Sequence, residues 1–576
     1  MLLGISESIS KRKKESALIM RKQTKLVAVL STAALLALGT SMSSFAATGW
    51  QEENGTWVYY DRSGDLETES WAKSGDNWFY LNEDGEMATD VVVEYDDDFY
   101  YVDENGAMVT NKWVSVENED YDGDDDTDPA NYWYYFGSNG KAYKNTSEKA
   151  VFKTINGKKY LFNDEGKMQY GWIDEDGAKL TEDDAWKTGL YYLGNENDGA
   201  QTVGWASLNI TAEDDEYGEG FSSLNVFDDE DQTRWFYFKS NGKKVHSEDG
   251  DFEDSKSING KKYSFDEYGR MNAEWVVYGA TPSTSSQASP SYTESWRYYS
   301  SPEDGARVSK GWFKVVPDYY LNAGDYDDDS DAWYYADGDG DLVASEIKTI
   351  NGKKYMFDNK GKMKSGLKFV KLDGRKTVVD IVSDDHDDFP FETEDEFRKN
   401  ANHWLSEGYD AYYFGDGDDG AMKTGKLSLD LDGESNTFLF KKSGSHKGAG
   451  ETGKDSNKYY VGGLLIAADK EDKYSVLKIT KDGNKKDGKV YGDSYELLTT
   501  DQFIDQEKAA VTLASDFNTD KYDEYYDVNN DKDENVTYKL ISTSGTVQKN
   551  KSKAKDGSDY YYVVKGEEIK HVFVEN

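Results

Sequence analysis

The sequence predicts an all-β fold, a solenoid of stacked β-hairpin repeats with minor helical insertions in the C-terminal third. Three observations predict it. A short aromatic run returns every 21 residues at positions 57, 78 and 99. Aromatic residues make up 14% of the chain, with 44 Tyr and 15 Trp against 6 Pro, while the mean hydropathy is negative. There is no cysteine. So hydrophilic a chain cannot build one large aliphatic core, and it has no disulfides to compensate; many thin layers packed through rings are the expected solution.

The repeat is clearest near its start. Trp57-Val58-Tyr59-Tyr60 is followed by Gly64 and Leu66, Trp78-Phe79-Tyr80-Leu81 by Gly85 and Met87, and Phe99-Tyr100-Tyr101-Val102 by Gly106 and Met108. A second phase, Trp50, Trp71, Val92 and Trp113, keeps the same 21-residue spacing. The aromatic run is β-prone and the polar stretch Asp61-Arg62-Ser63-Gly64 supplies a turn, so each unit is expected as a hairpin whose second strand carries Leu66, Met87 or Met108. Alternation puts Trp57 and Tyr59 on one face and Val58 and Tyr60 on the other. A hairpin apolar on both faces needs neighbours stacked on it.

Farther along, inserts interrupt the pattern. Ile155-Asn156-Gly157-Lys158-Lys159-Tyr160 recurs at 258–263 and 350–355, followed by Met168, Met271 and Met363, which suggests a larger duplicated block. Between these lie Trp133-Tyr134-Tyr135, Tyr191-Tyr192, Trp235-Phe236-Tyr237, Trp296 to Tyr299 and Trp333-Tyr334-Tyr335. Beyond about residue 370, Tyr412-Tyr413-Phe414 is a good copy, whereas 438–440 and 560–562 are degenerate. Thr393 with Glu396 forms a capping box ahead of Phe397, Ala401, Trp404 and Leu405, and residues 501–517 have helix-forming composition. The organisation read from the chain is 1–47 as an N-terminal extension and signal, 48–115 as regular repeats and 116–369 as interrupted repeats with acidic inserts. Residues 370–576 read either as degenerate repeats or as a separate C-terminal domain.

Residues 1–47 read as an export signal. Arg21, Lys22 and Lys25 are basic, 26–38 is apolar, and Ser44-Phe45-Ala46-Ala47 offers small residues for cleavage; Met20 is a candidate start. Removing this segment from a chain with 67 basic and 112 acidic residues takes away 7 and 2, leaving 60 against 110, a net charge near −50. Such a surface repels phosphate backbones, so nucleic acid is not an expected partner. No later segment is apolar enough to be a transmembrane anchor.

Gly49-Trp50, then Gly55-Thr56-Trp57-Val58-Tyr59-Tyr60 and Ser63-Gly64, together with Asp84-Gly85-Glu86-Met87-Ala88-Thr89 and Lys167-Met168-Gln169-Tyr170-Gly171-Trp172, resemble the choline-binding, or cell-wall-binding, repeat family. Related repeats occur in glucan-binding tails of glucansucrases and in receptor-binding tails of large bacterial toxins. The resemblance covers 49–113 closely and continues in pieces to 367. It implies a hairpin solenoid with ligand sites between successive hairpins, each a cage of two aromatics from one hairpin and one from the next. Carried onto this chain, the first cage is Trp50, Trp57 and Tyr80, and the second is Trp71, Trp78 and Tyr101. Val92 breaks a third cage with Phe99, and the acidic insert at 117–128 separates Trp113 from Trp133. A quaternary ammonium has no hydrogen to donate, so ring faces must recognise it, at about 0.5–2 kcal/mol each. Several sites then have to act together. The same flat faces stack on sugars, and packing against the next hairpin is the commoner role of any single ring.

The acidic clusters read first as solvated loops. Asp337-Gly338-Asp339-Gly340-Asp341 has part of a calcium-loop spacing, but Leu342 and Lys348 stand where such a loop needs Gly and Glu, and 122–128 and 325–331 are acidic without a full ligand pattern. No cofactor is expected, weak calcium binding by these loops being the lesser alternative, and no metal-site residue is assigned. His246, His386, His403, His446 and His571 form no zinc pair at helical spacing, no nucleophile elbow is present, and no catalytic residue is assigned. The sequence therefore reads as a secreted, non-enzymatic surface protein held non-covalently on the bacterial cell wall through choline-bearing teichoic acid or wall glycan. The alternatives are an adhesin for extracellular glucan or host glycan, and an enzyme with a catalytic unit in 370–576.

Overall fold

The computed structural model describes residues 48–121, 128–211, 232–247, 255–280, 282–287, 289–374, 376–382 and 393–576. The expected export signal and half of the first acidic insert lie outside the described residues. The chain divides into two compact units. The first comprises the residues up to Gly171 with Asp176–Ala178 and Leu193–Ala200, and the second comprises Trp172–Glu175, Lys179–Tyr192 and Gln201–Asn576.

In the first unit every sheet is a lone antiparallel hairpin: Gly49–Glu53 with Thr56–Tyr60, Ser70–Ser74 with Asn77–Leu81, Val91–Tyr95 with Asp98–Val102, Lys112–Glu117 with Asn131–Phe136, and Lys153–Ile155 with Lys158–Tyr160. The second strand of each of the first four hairpins is rich in aromatic residues, and the turns Asn54-Gly55 and Asn156-Gly157 have positive φ at both positions, matching strand twist. The paired strands are the Trp50 phase and the aromatic run, not the aromatic run and the Met segment. Leu66, Met87 and Met108 make single bridges to Tyr60, Leu81 and Val102, and the amides of Met87 and Met108 are used elsewhere. The Met87 amide donates to the Trp57 carbonyl of the preceding hairpin at 2.7 Å, and that of Met108 donates to Trp78 at 2.8 Å. One hydrogen bond per rung thus ties each hairpin to the one before it.

A second device accompanies it. The Met87 side chain packs where Gly106 of the next turn has no side chain: a Cβ there would lie 2.8 Å from the Met87 Sδ. Gly140 stands in the same relation to Met108, and in the second unit Gly305 does so to Met271 and Gly420 to Met363. The acid or amide that opens each such turn is structural. Asp61 Oδ1 accepts from the amides of Ser63 and Asp65, and Asp337 Oδ1 likewise accepts from Asp339 and Asp341. Asp341 also takes the Arg297 guanidinium at 2.9 Å. The 337–341 run is a hairpin turn of the repeat.

The second unit begins with the same lone hairpins, such as Gly204–Ile210 with Gln232–Phe238 and Gly311–Val315 with Ala332–Ala336, and passes into sheets of six, five, three and five strands. Burial makes that passage: Phe369, Phe397, Phe438, Phe440, Leu464 and Leu477 share one core, while Val476, Leu540, Tyr562 and Val572 share another. The expected capping box is present at Glu394–Ser406, where Thr393 Oγ1 accepts the Glu396 amide at 3.2 Å and Phe397, Ala401 and Leu405 are buried. The helix expected over 501–517 stops early, at Thr500–Gln506. Val511–Leu513, rich in β-branched residues, pairs as a strand with Tyr522–Val528. Short helical turns at Ala185–Thr188, Pro290–Thr293 and Ala323–Asp327 also fall outside the C-terminal third, where the sequence reading placed none. The fold is all-β, built of stacked hairpin repeats.

Candidate ligand-binding site

Strand register decides which rings share a face. Directly opposed residues lie on one side of a hairpin, so Trp50 faces Tyr59, Trp71 faces Tyr80, and Val92 faces Tyr101. The next pairs on the same side are Glu52 with Trp57, Lys73 with Trp78, and Glu94 with Phe99. The Trp50 ring meets Tyr59 at 5.3 Å and Phe79 of the following hairpin at 5.3 Å, both edge-on. Trp71 repeats this with Tyr80 at 5.2 Å and Tyr100 at 5.1 Å.

The six expected ligand residues are distributed unequally. Trp50 and Trp71 are half-buried and packed as just described. Trp57 is half-buried, opposite Glu52, with no ring contact among the described residues. Trp78 is 40% exposed, with the Lys73 Nζ 5.7 Å from its ring centroid. Tyr80 lies between Trp71 and Tyr95, 6.1 Å from the latter, and burial, then Glu69 and Tyr95, push its hydroxyl pKa up. The Tyr101 ring stacks on Phe136 at 6.0 Å and its hydroxyl donates to Asp90; burial first, then that carboxylate, push its pKa up. Among the described residues no ring contact joins Trp50, Trp57 and Tyr80 to one another, nor Trp71, Trp78 and Tyr101. The contact that does form, Trp71 with Tyr80, links the two expected sets.

Three further constellations recur with nearly the same geometry. Trp113 lies 5.2 Å from Tyr135, 4.8 Å from Tyr160 and 5.8 Å from Phe162. Trp205 lies 5.1 Å from Tyr237, 4.8 Å from Tyr263 and 5.8 Å from Phe265. Trp312 lies 5.1 Å from Tyr335, 4.8 Å from Tyr355 and 5.6 Å from Phe357. A second tryptophan and a methionine join each cluster: Trp133 and Met168, Trp235 and Met271, Trp333 and Met363. Each arises where a two-tryptophan hairpin is followed by an Ile-Asn-Gly-Lys-Lys-Tyr hairpin. Sequence spacing hid them because hairpin loops of different length separate the two tryptophans. The insert after residue 117 leaves the register intact, with Glu117 opposite Asn131 and Trp113 opposite Tyr135. The signal that finds them is the recurring Ile-Asn-Gly-Lys-Lys-Tyr segment, not the 21-residue period.

Residues 68–113 match the choline-binding repeat, and 48–66, 128–142 and 152–168 match the cell wall binding repeat. The chain carries choline-binding repeats. Repeats of this family bind choline and related ligands of the bacterial wall, and proteins that carry them are associated with the wall at the cell surface. Glucosyltransferase-S of Streptococcus mutans is 25% identical over 236 residues, which are 41% of this chain and 11% of that protein. The chain therefore spans about a tenth of that relative. Among solved structures, choline binding protein F from Streptococcus pneumoniae is 17% identical, covering 69% of this chain and 98% of its own, with a TM-score of 0.25. The modular autolysin LytC from the same species, in complex with a synthetic peptidoglycan ligand, is 18% identical and covers 57% and 55%, with a TM-score of 0.28. Among the described residues no helix is long and apolar enough to cross a membrane, and no group of three or more His, Cys, Asp or Glu is arranged to hold a metal ion.

Proposed function

We propose that this protein is an exported, non-enzymatic surface protein that holds to the bacterial wall through many weak aromatic sites at its hairpin junctions, each taking a quaternary ammonium of the choline type. The observation that carries this reading is the recurrence of one constellation, two tryptophans with two tyrosines and a methionine, at Trp113, Trp205 and Trp312. Rings held in such a cluster present faces and edges without flexible polar groups, which suits a cation that cannot donate a hydrogen bond. The two earlier sets, Trp50 with Trp57 and Tyr80 and Trp71 with Trp78 and Tyr101, are weaker versions on the same faces. At about 0.5–2 kcal/mol per ring, one site binds near the millimolar range and attachment needs several.

Ion exchange imitates this binding, because a chain of net charge −45 adheres to any amine resin. Retention on a choline-analogue resin in 1 M sodium chloride, where screening acts within about 3 Å, followed by release with free choline at the same ionic strength, supports the proposal. Elution by salt alone overturns it. A second reading, binding of an extracellular glucan by the same rings, is favoured by the similarity to glucosyltransferase-S; release from purified walls by soluble glucan and not by choline would establish it. Hydrolysis of wall polymer by the full chain would restore an enzymatic reading.

A further inference from the structure

The C-terminal sheet carries a cluster of charge opposite in sign to the rest of the chain. Its strands run in the order Val511–Leu513, Tyr522–Val528, Glu568–Glu575, Tyr560–Lys565, Lys551–Lys555. Tyr526, Val572, Tyr562 and Ala554 form one cross-strand row that packs into the core. Asp527, His571 and Val563 form the next row, which by alternation faces the other way. Beside that row lies an open pocket of about 690 Å³ whose polar lining includes Asn550, Lys551, Ser552, Lys565, Lys570 and His571, with Val528, Val563 and Val564 as its apolar part.

The one carboxylate lining this pocket, that of Asp527, is engaged by His571 Nδ1 at 2.9 Å. Lys570 is paired with Glu568 at 2.7 Å. Lys551 and Lys565 are exposed on adjacent strands and have no ion-pair partner among the described residues. The turn between Tyr560–Lys565 and Glu568–Glu575 holds Glu567, which is shared by Lys454 at 2.9 Å, Lys549 at 2.8 Å and Lys539 at 3.8 Å. Four lysines thus share the carboxylates of Glu567 and Glu568 while Lys551 and Lys565 stand beside them without a counter-charge, in a chain with 112 acidic and 67 basic residues. Such a concentration against the overall charge focuses field on a concave surface and draws anions to it.

We propose that this pocket binds a phosphate group, free or within a phosphodiester chain, with Lys551 and Lys565 as the principal contacts and Ser552 as a hydrogen-bond donor. Ammonium groups on two strands suit an anion with several oxygens, since lysine binds phosphate as a freely oriented point charge. The site supplies an anion grip that the aromatic clusters lack, and it stands whether or not those clusters bind choline.

The test is isothermal titration of the full chain with inorganic phosphate at fixed ionic strength, sodium chloride serving as the reference, repeated with a poly(glycerol phosphate). Wild-type protein binds phosphate, and the double variant Lys551→Gln/Lys565→Gln binds it at least tenfold more weakly while keeping its circular dichroism. A control double variant, Lys426→Gln/Lys481→Gln, with exposed lysines outside the pocket, binds phosphate as wild type does. Stronger binding per phosphate of the polymer identifies a polymer ligand, and equal binding identifies free phosphate. No heat beyond that of chloride, or equal binding by the two double variants, overturns the proposal. Choline retention measured on the same Lys551/Lys565 variant keeps a failure here distinct from a failure of the wall-binding reading.

Discussion

Trp78 faces Lys73 across its hairpin, with the ammonium 5.7 Å from the ring centroid, whereas Trp57, one repeat earlier, faces Glu52. The two rings occupy equivalent places in the repeat and offer opposite surroundings to a cation. A quaternary ammonium approaching Trp57 gains a nearby carboxylate, and one approaching Trp78 meets a like charge already near the ring. Trp57→Ala is therefore expected to weaken choline binding more than Trp78→Ala, and Lys73→Glu to strengthen it several-fold at low salt. Calorimetric titration of the full chain with choline measures both. Equal losses from the two tryptophan variants, with folding intact, would assign both rings to packing alone.

The Met87–Gly106 contact predicts a stability difference between glycines. Gly55 has φ +87° with nothing within 4 Å of an added Cβ, while at Gly106, with φ +77°, that atom lies 2.8 Å from Met87 Sδ. Gly55→Ala is expected to show only the left-handed strain, about 1–2 kcal/mol. Gly106→Ala adds overpacking of about 1–3 kcal/mol. Urea denaturation of both variants, with Met87→Ala in a double-mutant cycle, should show Met87→Ala relieving the second cost and not the first.

The hairpin repeat was legible because its signals are local: Trp57, Trp78 and Phe99 keep one period, and Asn54-Gly55 and Asn156-Gly157 dictate turn type. The ring partners were not, because they depend on register. Trp71 joins Tyr80 through cross-strand pairing, and Trp113 joins Tyr135 although an insert intervenes, and neither relation is a spacing in sequence. The helix at Glu394–Ser406 was legible from its cap and its apolar spacing. The helix expected at 501–517 was cut short because Val511–Leu513 found a strand partner, a tertiary gain that composition does not report. The wide C-terminal sheets were missed for the same reason, since strands such as Tyr474–Lys486 are recruited by neighbours distant in the chain.

Register also predicts that the first acidic insert is dispensable to the fold. Asn118 closes the ladder of its hairpin, its amide donating to the Ala130 carbonyl at 3.0 Å and its Nδ2 to the Pro129 carbonyl at 3.0 Å. Replacing residues 119–129 by Asn-Gly is expected to leave Trp113 opposite Tyr135 and the near-ultraviolet circular dichroism unchanged, since loop length alters closure entropy only slowly. Calcium titration of this variant beside wild type shows whether the insert binds the ion. A lost aromatic signal would mean that the insert itself orders the hairpin.

The Glu567 carboxyl is held at about 2, against an ordinary 4.5, chiefly by hydrogen bonds from Lys549 and Lys454. A carboxyl depressed in the folded state contributes stability that is complete above its unfolded value and is lost as pH falls through the folded one. The contribution of Glu567 is therefore full above about pH 4.5 and disappears toward pH 2. Because the chain carries 112 acidic residues, the wild-type melting curve alone cannot isolate it, and the difference from Glu567→Gln can. That variant should be less stable than wild type at neutral pH, because three lysines lose their shared counter-charge. The gap should close between pH 4.5 and pH 2, and 1 M salt should shrink it at neutral pH by screening lysine repulsion. A gap that stays constant from pH 7 to pH 2 would show that Glu567 contributes through packing and neutral hydrogen bonds, and that its ionisation has no part in holding the turn.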